Sequence, residues 1–171
     1  MNVYEAIKKR RSVRDYKPEP VPEESLRRVL EAARLAPSAH NAQDWKFIVV
    51  KDSEKRKALA KAAFGQGFVA KAPVVIVAVA LNPEDVMGCG VPTYAVNLAI
   101  AIDHMTLTAI EEGLGTCWIG AFSQGEVKRI LNIPEKYKVV ALLPLGFPAD
   151  SAKPKIRKNL KEIVSYETFT K

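Results

Sequence analysis

Apolar positions divide the chain before any motif does. Val3, Ala6 and Ile7 lie at helical spacing and run into Lys8-Lys9-Arg10-Arg11, which predicts a short amphipathic helix. Ser12-Val13-Arg14-Asp15-Tyr16 breaks that period and leads to the Pro-rich turn from Lys17 to Pro22. Leu26, Val29, Leu30 and Ala33 then recur at three and four, behind acidic Glu23 and Glu24, so a helix is predicted from Pro22 to Ala36, ended by Pro37. The polar loop Ser38 to Asp44 precedes Trp45-Lys46-Phe47-Ile48-Val49-Val50, whose aromatic and β-branched residues predict a strand. Ser53 is placed to cap a helix from Glu54 to Ala63, and Gly65-Gln66-Gly67 punctuates. The unbroken Val/Ile/Ala run from Pro73 to Leu81 reads as a strand covered on both faces.

The second half follows the same logic. Pro92 to Glu112 is apolar on nearly every side, as an interior or subunit-interface helix would be, with Gly113 and Gly115 to end it. Thr116 to Gly120 is predicted as a short strand running into a turn. Ser123-Gln124-Gly125-Glu126 has capping-box spacing ahead of Val127, Ile130 and Leu131, and Lys138 to Leu145 is the last strand. From Ala149 to Lys171 the apolar residues thin out to Ile156, Leu160, Ile163, Val164, Tyr166 and Phe169, which suggests an arm that packs on something else. Without repeats or a long linker, residues 1–171 read as a single domain, an α+β sandwich around one sheet of about four strands.

Composition narrows the function classes. With 171 residues, 48% hydrophobic and 26% charged, the chain is neither a disordered tail nor a collagen-like rod. Its longest apolar run, Ala72 to Leu81, is far short of the ~20 residues of a spanning helix, and no signal-peptide pattern follows Met1, so a cytoplasmic protein with no membrane role is expected. Cys89 and Cys117 are too far apart for a CxxC unit, which argues against a zinc cluster and fits a reducing compartment. The net charge of +7 invites a nucleic-acid reading, but aromatic residues make up only 8% and no nucleic-acid-binding motif is present. The positive charge gathers instead in three groups: Lys8 to Lys17, Lys51 to Lys61, and Lys153, Lys155, Arg157, Lys158 and Lys161. The first and last carry arginines in or beside loops, where paired guanidinium hydrogen bonds suit an anion.

Several chemistries are missing. His40 and His104 are the only histidines, and neither has a partner at metal-ligand spacing; His104 reads as a hydrogen-bonded core residue. There is no GxSxG, P-loop or GxGxxG, and Cys117 beside Trp118 reads as core. What is present, in order, is Arg10-Arg11-Ser12-Val13-Arg14, then Pro37-Ser38-Ala39-His40-Asn41-Ala42-Gln43-Asp44-Trp45, then Gly113-Leu114-Gly115-Thr116-Cys117-Trp118-Ile119-Gly120, then Lys155-Ile156-Arg157. Guanidinium clusters and a hydroxyl suit a phosphate, and a run of Ser, Asn and Gln suits the heteroatom edge of a planar ring.

Taken together, these four segments resemble the nitroreductase family of FMN-dependent oxidoreductases, whose pattern covers almost the whole chain. The match departs at Asp44, where that family usually has proline, and the chain lacks the insertion that larger members carry. The resemblance implies an α/β/α sandwich around one mixed, mainly antiparallel sheet. It also implies a homodimer with FMN at the interface, the arm from 149 to 171 packing on the partner subunit. Arg10, Arg11, Ser12 and Arg14 would hold the FMN phosphate, ribityl chain and pyrimidine edge, with Lys155 and Arg157 completing the phosphate site. Pro37, Ser38, Ala39 and Asn41 would reach the same flavin from the partner, and the backbone of Ile119, Gly120 and Ala121 would face its N5 and O4. No side chain is implied as a nucleophile: a hydride passes from NADH or NADPH to N5 and on to a nitroaromatic, quinone or similar acceptor by a ping-pong scheme, with Arg14 tuning the flavin electrostatically. A specialised flavoenzyme on the same scaffold, reductive dehalogenase-like or flavin-fragmenting, and a flavin-binding protein without turnover stay open on the same residues.

Overall fold

The computed structural model describes residues 1–152 and 155–170, and Lys153 of the last basic group lies outside them. Among the described residues six α-helices and four strands follow one another: α1 (Val3–Lys9), α2 (Glu23–Arg34), β1 (Trp45–Val50), α3 (Ser53–Ala62), α4 (Phe68–Lys71), β2 (Val74–Ala80), α5 (Thr93–Glu111), β3 (Gly115–Thr116), α6 (Gln124–Leu131) and β4 (Lys138–Gly146). One sheet has the order β1-β2-β4-β3, and every ladder in it is antiparallel. The expected mixed character shrinks to a single parallel bridge, Ser12 to Thr116.

β2 lies inside the sheet and every one of its residues is buried. Its alternating side chains feed two cores, as the pleat requires. Ile76, Ala78 and Ala80 join Leu143 and Leu145 against α2 and α5. Val75, Val77 and Val79 join Leu142 and Val139 against α3, α4 and α6. The result is the three-layer sandwich expected, with α5 giving Leu98, Ala101, Ile102, Met105 and Ala109 to the first core. A register shift at Ala78/Val79 loosens β2 from β4, and Gln124 fills the gap by pairing its carboxamide with both backbone groups of Val139.

Three local expectations change. The cap of α3 is Asp52, whose carboxylate accepts from Lys55 N at 2.8 Å, so Ser53 is already helical. The four-residue α4 follows the Gly65–Gly67 turn, too short to leave a period in the sequence. The strand expected over Thr116–Gly120 stops at Thr116, although Ile119 rejoins Leu142 in the same register. The gap faces Pro144, which has no N–H to give, and whose carbonyl accepts from the Tyr16 hydroxyl at 3.3 Å. Burial pushes the Tyr16 phenol far above its ordinary range.

Candidate functional site

Residues 10–14 are laid along β3. Val13 N donates to Thr116 O at 2.9 Å, and the Val13 side chain is buried over Gly115. A Cβ on Gly115 would collide with Val13 and come within 3.0 Å of Pro148 Cγ, so glycine is what permits this close approach. With Val13 turned inward, Ser12 and Arg14 turn outward. Burial pushes the Cys117 thiol up, opposed by nearby Arg14, Ser12 and Arg10, so these groups converge beside Cys117. Cys117 itself is buried, as its reading as a core residue requires.

The arginines divide by partner. Arg11 Nη2 lies 2.7 Å from Asp150 Oδ1 and donates to Asp150 O at 2.8 Å, and this guanidinium holds the Asp150 carboxyl below the usual carboxylate range. Arg11 therefore already has an anion of its own. Arg10 has no ion-pair partner among the described residues. Beside it, Lys155 Nζ donates to Ile7 O at 3.4 Å and to Lys8 O, at the C-terminal end of α1. Burial, then Arg10 and then Arg157, pushes the Lys155 ammonium down. Arg10, Lys155 and Arg157 thus form a cluster of cations with no carboxylate in an ion pair to any of them among the described residues. A cleft of about 380 Å³ adjoins it, lined by Arg11, Ser12, Arg14, Asp15, Asp150 and Ser151. Such a cluster repels itself until an anion arrives, and a phosphate dianion with its many acceptor oxygens fits it.

Farther along the same edge, Ile119 is bonded in both directions to Leu142, at 2.9 and 3.1 Å. Gly120 and Ala121 follow, exposed, and neither of their N–H groups donates to a protein acceptor among the described residues. Gln66, which sequence reasoning passes over as punctuation, holds this segment in place: its Nε2 donates to Ala121 O at 3.2 Å and to Ala63 O at 3.0 Å. Ser123 N adds a bond to Ala62 O at 2.8 Å. The only sequence signal for Gln66 is a polar side chain set between two glycines. Residues 10–14, 155–157 and 117–121 therefore lie together along one side of the fold, cations at one end and free backbone donors farther on.

Pro37, Ser38, Ala39 and Asn41 are elsewhere. Their loop turns through Ala39–Asn41 as one 3₁₀ turn, with His40, Asn41 and Gln43 all in the left-handed region at φ of 53°, 53° and 51°. Ser38 Oγ accepts from Gln43 N at 3.1 Å, and Gln43 Nε2 donates to Asn41 O at 3.1 Å. The loop enters β1 at Trp45, opposite Ala80, whereas Ser12 lies outside β3, bridged to Thr116, which pairs with Leu145, itself opposite Val74. The two places are diagonal corners, roughly 20 Å apart along β2 and about 19 Å across the strand order at ordinary strand spacings. Single-chain geometry does not bring them together.

No group of three His, Cys, Asp or Glu residues that would hold a metal ion occurs among the described residues, and His104 is half-buried without a hydrogen bond from its ring. No helix among them is long and apolar enough to cross a membrane.

The model of the "Nitroreductase family" matches residues 7–89 and 62–147. The chain is 35% identical to an NADH dehydrogenase of Thermus thermophilus, covering 93% of each chain. It is 31% identical to an FMN reductase [NAD(P)H] of Bacillus subtilis, over 98% of this chain and 74% of that one. Among solved structures, a nitroreductase family protein from Clostridium novyi superposes with a TM-score of 0.82 at 40% identity, over 88% of this chain and 87% of that one.

Proposed function

The chain belongs to the nitroreductase family, and from that premise we propose how it works as an FMN-dependent oxidoreductase that takes electrons from NADH or NADPH. The chemistry that FMN supplies when bound is the acceptance of a hydride from the reduced nicotinamide and its delivery to a nitroaromatic, quinone or similar acceptor in a ping-pong sequence. The residues of this chain bind, orient and polarise. Arg10, Lys155 and Arg157 take the phosphate, Ser12 adds a hydroxyl, and Arg14 lies beyond it to stabilise negative charge on the pyrimidine edge. The N–H groups of Gly120 and Ala121, in a segment held by Gln66, would serve as hydrogen-bond donors to the flavin ring at N5 and O4. Arg11 contributes through the backbone path it fixes with Asp150 more than through its own charge.

Pro37, Ser38, Ala39 and Asn41 complete the site from a second copy of the chain. The diagonal separation of the two corners supports this arrangement. So does the arm, whose Ile156, Leu160, Tyr166 and Phe169 are 92%, 72%, 82% and 88% exposed and gain cover only against another surface. A homodimer with FMN at its interface satisfies both. A cytoplasmic setting, where thiols stay reduced, suits the exposed free Cys89.

The observation that carries the reading is the cation cluster of Arg10, Lys155 and Arg157, without a carboxylate in an ion pair among the described residues and on the same side of the fold as the N–H groups of Gly120 and Ala121. The test is direct. Purified protein is expected to be yellow, to bleach anaerobically with NADH or NADPH, and to recover colour with a nitroaromatic or quinone. Protein that takes up no FMN from solution contradicts the proposal, and protein that binds FMN but is not bleached by either nicotinamide is a flavin binder without turnover.

A further inference from the structure

We infer that Asn97 is a positioning residue for flavin binding, its buried carboxamide on α5 fixing both ends of the loop that completes the FMN site of the partner subunit. The inference rests on the proposed two-copy site and adds to it a residue outside every motif. Asn97 is 2% exposed, in a helix whose other core-facing residues are mainly apolar. A buried carboxamide is retained only where its groups are satisfied. Here Oδ1 accepts from Ala39 N at 3.0 Å, and Nδ2 donates to Asp44 Oδ1 at 3.3 Å.

The partners dictate the orientation of the amide. Ala39 N can only donate and an ionised Asp44 carboxylate can only accept, so a flipped carboxamide would lose both bonds. Between the two attachment points the chain holds three non-glycine residues at positive φ, a conformation that L-residues leave when free to do so. The remaining hydrogen bonds of residues 38–43 are short-range, within the loop itself or to Trp45 at its exit. Asn97 is thus the side chain that ties the loop to α5, while Leu81 N, bonded to Asp44 O at 3.0 Å, ties its exit to the end of β2. Asp44, the residue that departs from the family motif, gains a purpose: it supplies the acceptor that a proline in its place would lack.

The experiment exchanges the two groups. Apoprotein of the wild type, Asn97→Ala, Asn97→Asp and the double variant Asn97→Asp/Asp44→Asn is titrated with FMN by fluorescence, and each melting temperature is recorded. Asn97→Ala is expected to bind FMN about tenfold more weakly, the scale of a lost buried hydrogen-bond pair. Asn97→Asp keeps an acceptor for Ala39 N but sets two carboxylates face to face, so a comparable loss is expected. The double variant restores a donor–acceptor pair with its direction reversed and keeps an acceptor for Ala39 N, and its affinity is expected to return to within about threefold of wild type. A purely structural role moves melting temperature without moving affinity in step, and Asn97→Asp with its rescue decides the matter even if Asn97→Ala fails to fold. Wild-type affinity in Asn97→Ala, or a loss in Asn97→Asp that Asp44→Asn does not recover, overturns the inference while leaving the cation cluster untouched. Wild-type protein that binds no FMN overturns the two-copy site, and this inference with it.

Discussion

At the corner where Ser12 meets Thr116 the character is charge: Arg10, Arg14, Lys155 and Arg157 gather there, and the two carboxylates of the adjoining cleft are paired elsewhere, Asp150 with Arg11 and Asp15 with Lys71. At the diagonal corner the loop from Pro37 to Asp44 carries no lysine or arginine. It holds a strained backbone path by hydrogen bonds among Ser38, Asn41 and Gln43 and by Asn97 behind it. In the proposed site, one corner attracts the ligand from a distance, and the other shapes a surface for it to rest on. The two lie roughly 28 Å apart in one chain at ordinary strand spacings, which is why the proposed FMN site draws one corner from each of two copies.

The contrast sets the order of expected effects. Removing charge acts most strongly: Arg157→Ala is expected to weaken FMN binding by about one to two orders of magnitude, as loss of a charge-assisted phosphate contact does, with little change in the melting temperature of the apoprotein. Isothermal titration against a thermal melt checks both halves. Disturbing the support of that corner comes next. Gly115→Ala forces Val13 aside and is expected to cost about 1–3 kcal/mol in denaturant unfolding, moving Ser12 with it. At the uncharged corner, His40→Gly relaxes a left-handed residue, so stability is expected to hold or rise by up to about 1 kcal/mol and FMN affinity to change little; a marked fall in affinity would give the His40 side chain a role.

Asp150→Asn gives the smallest effect, and its sign follows from protonation. The folded-state carboxyl lies below its unfolded value of about 3.9, so its contribution is present above that pH and is lost as pH falls through the lowered folded value. With about a third of the Asp150 side chain exposed and solvent screening the pair, the difference between wild type and variant is expected to stay below about 1 kcal/mol at pH 7 and to vanish in acid.

How far the sequence carries the fold is clear from particular elements. β1 is predicted over Trp45–Val50 and found there, because aromatic and β-branched content is a local property. β2 and α5 are foretold by continuous apolar runs that only a covered element tolerates. β3 ends early for a non-local reason: the proline that interrupts it, Pro144, belongs to another strand. The cap of α3 falls on Asp52 because two adjacent residues are both good caps, and one-dimensional pattern does not rank them. The site divides in the same way. Its charged residues are legible as motifs, whereas Gln66 and Asn97 act through partners 55 and 53–58 positions away, a relation that exists only once the chain is packed.

The claim that each FMN is shared between diagonal corners of two chains is tested most directly by mixing. Arg157→Ala disables the charged corner, and Asn97→Asp disables the loop, so each variant alone is expected to bind FMN weakly. Refolded together, they form mixed dimers in which one of the two sites takes its charged corner and its loop from unaltered halves, and these dimers are expected to hold one tightly bound FMN each. Mixed dimers that bind no more FMN than either parent would show that both corners must come from the same chain, and would contradict the account.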